Sequence, residues 1–508
     1  MARKERDESV ELEIERLDTE ARGVGRSPEG QVVFVPDALP GQRVRVRLGK
    51  RKKTWAEARL LEVLRPGTDQ VEPRCVHFWT CGGCRLQHLD YPAQLAAKTA
   101  QVRDALVRLG HFPDPPVEDC EPSPDVYGYR NKMEYSFGDR RWLDREEMEA
   151  RWKREAKVLR RAARAQGDAS GAKEAAGGPA KGSARRDGRT NRDRDFALGL
   201  HPRARWDRVI QLEECHLPEE RSVEVLRHVQ EATLRSRRGA YSTRTHQGYW
   251  RFLVVRQGVR TGQWLVDLIT APSREGHGEV EALARSLQAV FPDLTTITHT
   301  ISSSKAAVAT GEEHRVLYGP GYIEDQVGGL TFRLSPRAFF QTNTAAAERL
   351  YTMAVEAAGL TGTERIFDVY CGTGTIALLL AASSAEVVGC EVVSEAVADA
   401  RENAERNGIT NARFVEGDAA LLLREMAADG KPDVVVFDPP RAGLHPDARA
   451  DLLNLLPERV VYVSCHAATL ARDLREFVDG GYRLEQVRPI DLFPHTAHVE
   501  SVARLTKV

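Results

Sequence analysis

The chain has 508 residues and a mass of 56.6 kDa, enough for about three domains. Lys plus Arg number 73 and Asp plus Glu 74, giving a formal net charge of −1 that excludes a uniformly basic nucleic-acid coat but leaves room for local basic faces. No apolar run approaches the roughly 18–20 residues that span a bilayer, the charged start MARKERDESV has no apolar core behind it, and eight cysteines are too sparse for a disulfide scaffold, so a cytoplasmic protein without membrane contact is expected.

Residues 1–66 are expected to form a small β-barrel. VELEIERLD alternates apolar and charged residues with the period of a half-buried strand, and residues 31–64 give further short strands broken by Pro and Gly. Arg43, Arg45 and Arg47 alternate with Val44, Val46 and Leu48, and Lys50, Arg51, Lys52 and Lys53 follow. Such a face either holds a phosphate backbone or protects a strand edge against pairing, and the sequence weighs the two evenly.

Residues 67–330 read as a central mixed α/β region with a β bias. It opens with Cys75, Cys81 and Cys84 in a C-x5-C-x2-C pattern. Three thiols this close need a fourth ligand, with Cys120 and Cys215 as candidates, and four thiolates hold zinc or an iron–sulfur cluster; spacing alone favours zinc. Residues 92–110 have helical periodicity and end in Gly110, a C-cap residue. Residues 141–195 begin as a charged helical pattern and become a Gly/Ala/Lys/Arg-rich stretch, expected to be a disordered insertion. A hairpin is predicted over 249–271, a helix at VEALARSLQAVF, and strands at TTITHTISSS and along 314–336.

From about residue 344 helical and strand patterns alternate, which implies a mainly parallel sheet covered on both faces. DVYCGTGTIALLLA places Gly372 and Gly374 directly after a strand and at the mouth of a helix, where glycine allows a tight turn and close approach of a ligand. Glu391 ends the next strand, where a carboxylate accepts ribose hydroxyls, and Asp418 ends the third, near an adenine edge. Glycines and one acid fit a nicotinamide as well as S-adenosylmethionine (SAM). Asp438-Pro439-Pro440 at the carboxyl end of a strand favours SAM: two prolines fix a rigid turn, and the carboxylate faces the reacting centre. Cys465 follows another apolar strand and precedes a helix, where the helix end is expected to stabilise a thiolate nucleophile. Glu500 returns late in the chain to the same edge, where an acid can serve as a general base, although by itself it reads as a surface glutamate.

CGGC after C-x5, YGYRNKMEYSF, FFQTN, DVYCGTGTI, FDPPRAG, YVSCHAATLARD and FPHTAHVES together resemble the RNA (uracil-5-)-methyltransferase family, in particular bacterial 23S ribosomal RNA enzymes with a TRAM domain and an iron–sulfur cluster. The resemblance covers nearly the whole chain apart from 141–195. It implies an α/β fold class: a TRAM-like (OB-type) barrel, a central domain carrying a 4Fe–4S cluster, and a Rossmann-like SAM methyltransferase domain at 331–508. It assigns Gln341, Tyr370, Thr375, Glu391, Asp418 and Asp438 to the cofactor, Cys465 to the nucleophile, Glu500 to the base and Asp438 to positioning. Cys215 becomes the fourth ligand beside Cys75, Cys81 and Cys84, and the cluster replaces zinc. The implied substrate is a uridine of 23S ribosomal RNA before or during ribosome assembly, methylated by a monomer; transfer-RNA methylation and non-catalytic RNA binding are the alternatives. His466-Ala467 stands where the family has Asn-Pro, a departure expected to loosen the turn after the nucleophile.

Overall fold

The computed structural model describes residues 9–508 except 145–146, 150–151, 154–155, 157–190, 192–194 and 429. Five strands, Ser9–Leu17, Gly23–Arg26, Val32–Val35, Arg43–Arg51 and Trp55–Arg65, close into a barrel in the order 1-2-3-5-4. Alternation decides which side chains go inward: Leu12, Ile14, Val33, Val35, Val44 and Val46 fill the barrel. The outward arginines divide. Arg43 and Arg45 pair with Glu11 across the strands, Arg45 also with Glu62, and Arg65 pairs with Glu13. For Arg43 and Arg45 the structural reading therefore holds, because glutamates already occupy their guanidinium groups.

Helix Tyr91–Arg108 follows the cysteine loop. It stops two residues short of the expected Gly110, with Leu109 as its cap. Gly110 is required for a different reason: a Cβ there would lie 2.7 Å from the Phe112 ring and 2.8 Å from the Leu106 carbonyl. The central sheet has six strands in the order Glu313–Tyr318, Thr296–Ile301, Gln263–Thr270, Trp250–Gly258, Lys132–Gly138, Ala197–Gly199. Most of the expected insertion at 141–195 lies outside the described residues. Its two ends are neighbours: Gly138 pairs with Ala197, and the Arg141 amide donates to the Asp195 carbonyl at 3.0 Å.

The C-terminal sheet has seven strands in the order Ala412–Glu416, Glu386–Glu391, Arg365–Val369, Val434–Phe437, Arg459–Ser464, Glu500–Lys507, Tyr482–Ile490. The first five run parallel and Glu500–Lys507 runs antiparallel to both neighbours. Their Val/Ile/Phe runs are buried from both sides, as a parallel sheet between helices demands. Strand order reverses beside Arg365–Val369, which opens a crevice at the carboxyl ends. No helix among the described residues is long and apolar enough to cross a membrane.

Candidate active site

One long cavity starts at that crevice. Tyr370 has φ +67°, a region a bulky side chain rarely adopts, and Gly372 follows at +54°. A Cβ at Gly372 would meet nothing within 4 Å, so this residue faces open space. Gln341, Tyr370, Gly372, Thr375, Glu391 and Asp438 all line the cavity. Two of the expected cofactor residues do not. A Cβ at Gly374 would lie 2.9 Å from Phe414 and 3.1 Å from Ala400, so Gly374 packs the loop down onto the domain. Asp418 is exposed past the sheet's edge, because its strand stops at Glu416 and the Gly417 amide turns to the Glu391 carbonyl at 2.9 Å. Glu391 braces the loop, accepting from the amides of Gly372 (3.2 Å), Val392 (2.9 Å) and Val393 (3.0 Å).

Sequence reasoning missed Asp368. It is fully buried at the base of the cavity, and no hydrogen bond of normal geometry reaches either carboxyl oxygen. Burial pushes its carboxyl up to about 8, with the Asp438 carboxylate adding to the effect. An uncompensated acid in a cleft marks a place for a cation. The only sequence signal was its position, the aspartate of DVYCGTG.

The catalytic candidates converge from three strands. Asp438 follows Val434–Phe437, and Cys465 follows Arg459–Ser464. Ser464 pairs with Ser501 in the antiparallel register, which sets Glu500 beside Cys465. The thiol departs from expectation. Its helix, Ala467–Asp479, does begin two residues on, but burial and then the carboxylates of Glu500 and Asp438 push it up to about 11, and Arg441 offsets only part of this. Two nearby carboxylates outweigh one helix end. The carboxyls are themselves raised: Asp438 keeps some contact with solvent through the cavity, yet enclosure by the protein lifts it to about 7, and burial plus Asp438 lift Glu500 well above the usual range. The turn lacking the family's proline is held by hydroxyls. Ser464 Oγ accepts from the His466 amide at 3.1 Å, and Thr469 Oγ1 donates to the His466 carbonyl at 3.1 Å.

Cys465, Arg441, Thr496 and His498 also line a second depression, a groove that runs outward along the barrel past Arg85, Arg59 and Lys50. Eight Lys or Arg side chains line it against three carboxylates, so it is basic although the chain as a whole is not.

Cys75, Cys81, Cys84 and Cys215 line the other end of the cavity. Burial is the main cause that raises each thiol, Cys84 and Cys215 to about 12; Cys81 adds to the shift of Cys75, Cys75 and Cys81 to that of Cys84, and all three to that of Cys215, which places them together. The Gln87 amide donates to Cys84 Sγ at 3.1 Å, and the Gly83 amide to Cys81 Sγ at 3.4 Å. Donors aimed at sulfur suit thiolate ligands. Among the described residues no three Cys, His, Asp or Glu side chains are drawn together as a site for a single metal ion. Cys120 lies apart, in the apolar core with Phe112 and Val117.

The tRNA (uracil-5-)-methyltransferase family model matches residues 306–508, and the TRAM domain model matches residues 3–61. An uncharacterized RNA methyltransferase of Chlorobaculum tepidum is 36% identical, covering 97% of this chain and 95% of its own. Another, of Caldanaerobacter subterraneus subsp. tengcongensis, is 37% identical, covering 98% and 99%. Among solved structures, the Pyrococcus abyssi tRNA (uracil-54, C5)-methyltransferase in complex with S-adenosyl-L-homocysteine matches with a TM-score of 0.70 and 25% identity, over 97% of this chain and 99% of that one. With a matching catalytic domain, a matching barrel and relatives aligned end to end, the chain belongs to the RNA (uracil-5-)-methyltransferase family.

Proposed function

We propose that the protein transfers a methyl group from SAM to C5 of a uridine in 23S ribosomal RNA, through a covalent bond between Cys465 and C6 of the base. The observation that carries this reading is the place of Cys465, at the junction of the basic groove and the cavity, with Glu500 and Asp438 behind it. RNA lies along the groove and the methyl donor in the cavity. Uracil C5 is a poor nucleophile. Addition of the Cys465 thiolate at C6 gives an enolate whose C5 is carbanion-like. SAM supplies an electrophilic methyl group, which C5 takes in line. Glu500 then removes the C5 proton, the C5–C6 double bond reforms, and Cys465 leaves. Asp438 orients the base. A uridine shielded by stacking has to swing out of its context to reach the thiol, which is cheapest in a single-stranded loop.

RNA substituted with 5-fluorouridine tests the reading, because fluorine cannot leave as a proton. A SAM-dependent adduct on Cys465 with ribosomal RNA is expected. An adduct with transfer RNA alone moves the substrate to the second reading, which the match to a transfer-RNA enzyme over 97% of the chain favours. No adduct with either overturns the covalent mechanism.

We also propose that Cys75, Cys81, Cys84 and Cys215 hold a 4Fe–4S cluster, whose ligands stand around a cube and need not converge on one point. Anaerobically purified protein is expected to carry iron and sulfide in equal amounts, and Cys84→Ser to lose both.

The groove makes a contrast testable. Lys50 and Arg59 line it, whereas Arg43 is neutralised by Glu11. Replacing Lys50 and Arg59 together with Ala is expected to lower the salt slope of RNA binding by about 0.7 for each phosphate that is no longer neutralised. Arg43→Ala is expected to leave it unchanged. Filter binding between low and moderate salt checks both.

The buried acids predict a pH dependence. Asp368 and Asp438 titrate near 8 and 7 in the fold, against 3.8 for a free aspartate. Between those values the folded chain holds protons that the unfolded chain has lost. Their contribution to stability is therefore full below about pH 4 and is lost as pH rises towards 8. The protein's Tm is expected to fall from pH 5.5 to 8.5, and SAM, a cation beside these groups, to reverse the trend. Asp368→Asn, which cannot ionise, is expected to flatten the slope in thermal unfolding.

A further inference from the structure

The cysteine loop and the turn that leads to Glu500 are far apart in sequence and locked together in space. His495 is at the centre. Its φ is +67°, a conformation that persists in a non-glycine residue only when its surroundings hold it. Its carbonyl accepts from the amides of Arg85 (2.7 Å) and Leu86 (2.9 Å), the two residues after Cys84. Its amide donates to Gln94 Oε1 at 3.0 Å. Its ring stacks on Tyr127 at 4.4 Å between centroids. Gln94 is completely buried, and its Nε2 donates to the carbonyls of Leu86 (3.0 Å) and Leu89 (2.8 Å). Both ends of one side chain therefore join the cysteine loop to the His495 turn.

The turn continues directly into the candidate base. Tyr129, packed against Cys84, donates to the Pro494 carbonyl at 3.0 Å. Thr496 Oγ1 accepts from the His498 amide at 3.2 Å, and Arg441 donates to His498 Nδ1 at 3.2 Å. Arg441 lowers both Cys465 and Glu500. Nothing in methyl transfer requires a thiol loop so far upstream to grip this turn, yet both polar side-chain atoms of Gln94 are used to join them.

We infer that the loop of Cys75, Cys81 and Cys84 positions the C-terminal turn carrying Glu500, and that Gln94 and His495 are the positioning residues through which it does so. The inference rests on the reading of Glu500 as the base. It makes the cysteine loop part of the catalytic geometry: a loop that is not closed by its ligand lets the turn relax, and the base drifts from C5.

The test uses the full-length protein as purified, with Gln94→Met, which keeps the volume and removes both hydrogen-bonding ends. Single-turnover methyl transfer is expected to slow by about a hundredfold, the scale of a misplaced catalytic group. Dissociation constants for SAM and RNA are expected to stay within about twofold, because no residue that touches either has changed. Amide exchange is expected to quicken in the peptide 491–500 and not in the strand 365–369. Cys84→Ser is expected to give the same exchange signature in 491–500. A rate loss in Gln94→Met matched by an equal loss of SAM affinity and by exchange throughout the domain overturns the inference, leaving Gln94 a structural residue. So does exchange in Cys84→Ser that stays within 75–89. If wild-type protein methylates no uridine, the functional reading fails by itself, while the exchange link between Cys84 and 491–500 still decides the coupling.

Discussion

Glu500→Gln is expected to stall the protein on its RNA as a methylated covalent adduct. Burial and the neighbouring Asp438 lift the Glu500 carboxyl well above the usual range, which makes its carboxylate a stronger base than a free glutamate. Glutamine has nearly the same shape and carries no charge to bury. Folding, SAM binding, addition of Cys465 and methyl transfer should therefore survive the change. What glutamine cannot do is take the C5 proton, and without that step Cys465 cannot be eliminated. Turnover is expected to drop about 10³-fold, the scale of a lost general base. Meanwhile unmodified RNA should form a stable complex that survives denaturing electrophoresis. After nuclease digestion the Cys465 peptide should carry a nucleotide with one added methyl group, and Cys465→Ala in the same chain should abolish it. If Glu500→Gln turns over at near the wild-type rate with no adduct, the base lies elsewhere, and Asp438, with its carboxyl near 7, is the group to examine next.

The same buried carboxyls explain which parts of the molecule were legible in the sequence. Alternation in 9–65 and in the βα units after 344 made the barrel and the parallel sheet readable, because burial on one face or on two leaves a direct residue pattern. Cys465 and Asp438 were readable as residues after apolar strands, since strand ends are where such a sheet binds ligands, whereas Glu500, which opens a strand, was readable only through the family resemblance. Their protonation was not readable. The helix end beside Cys465 is a local feature, whereas the carboxylates that overrule it arrive from strands 27 residues before and 35 after. The choice between the two readings of Arg43 and Arg45 stayed open for the same reason, because their glutamate partners sit on neighbouring strands that the chain's local pattern does not identify. Asp368 was hidden by its motif: the glycines after it drew attention to the loop, while its burial beside Asp438 exists only in the packed cavity. The basic groove is invisible in a net charge of −1, since it gathers residues from the barrel, the cysteine loop and the C-terminal domain.

Replacing the nucleophile is expected to have the largest effect. Cys465→Ala should lower methyl transfer by at least about 10⁴-fold while leaving SAM binding intact, as loss of a nucleophile does in enzymes whose binding site survives. Cys465→Ser should be nearly as inactive, since a hydroxyl in the same carboxylate-rich setting ionises even less readily than the thiol. The thiol's own ionisation sets the pH profile. With Cys465 raised to about 11, the thiolate is scarce at neutral pH, so kcat/KM for RNA is expected to climb about tenfold per pH unit from 6.5 to 9 without a plateau. The two carboxylates that raise the thiol also lie beside the cavity proposed for the sulfonium cation. Neutralising them should lower the thiol's pKa, so the climb is expected to level off at a lower pH with saturating SAM than with trace SAM. Rates at several SAM concentrations across this pH range check the argument. A profile that is flat from pH 6.5 upward at trace SAM would mean that the thiol is already ionised, and that Glu500 and Asp438 carry less charge near it than their positions imply.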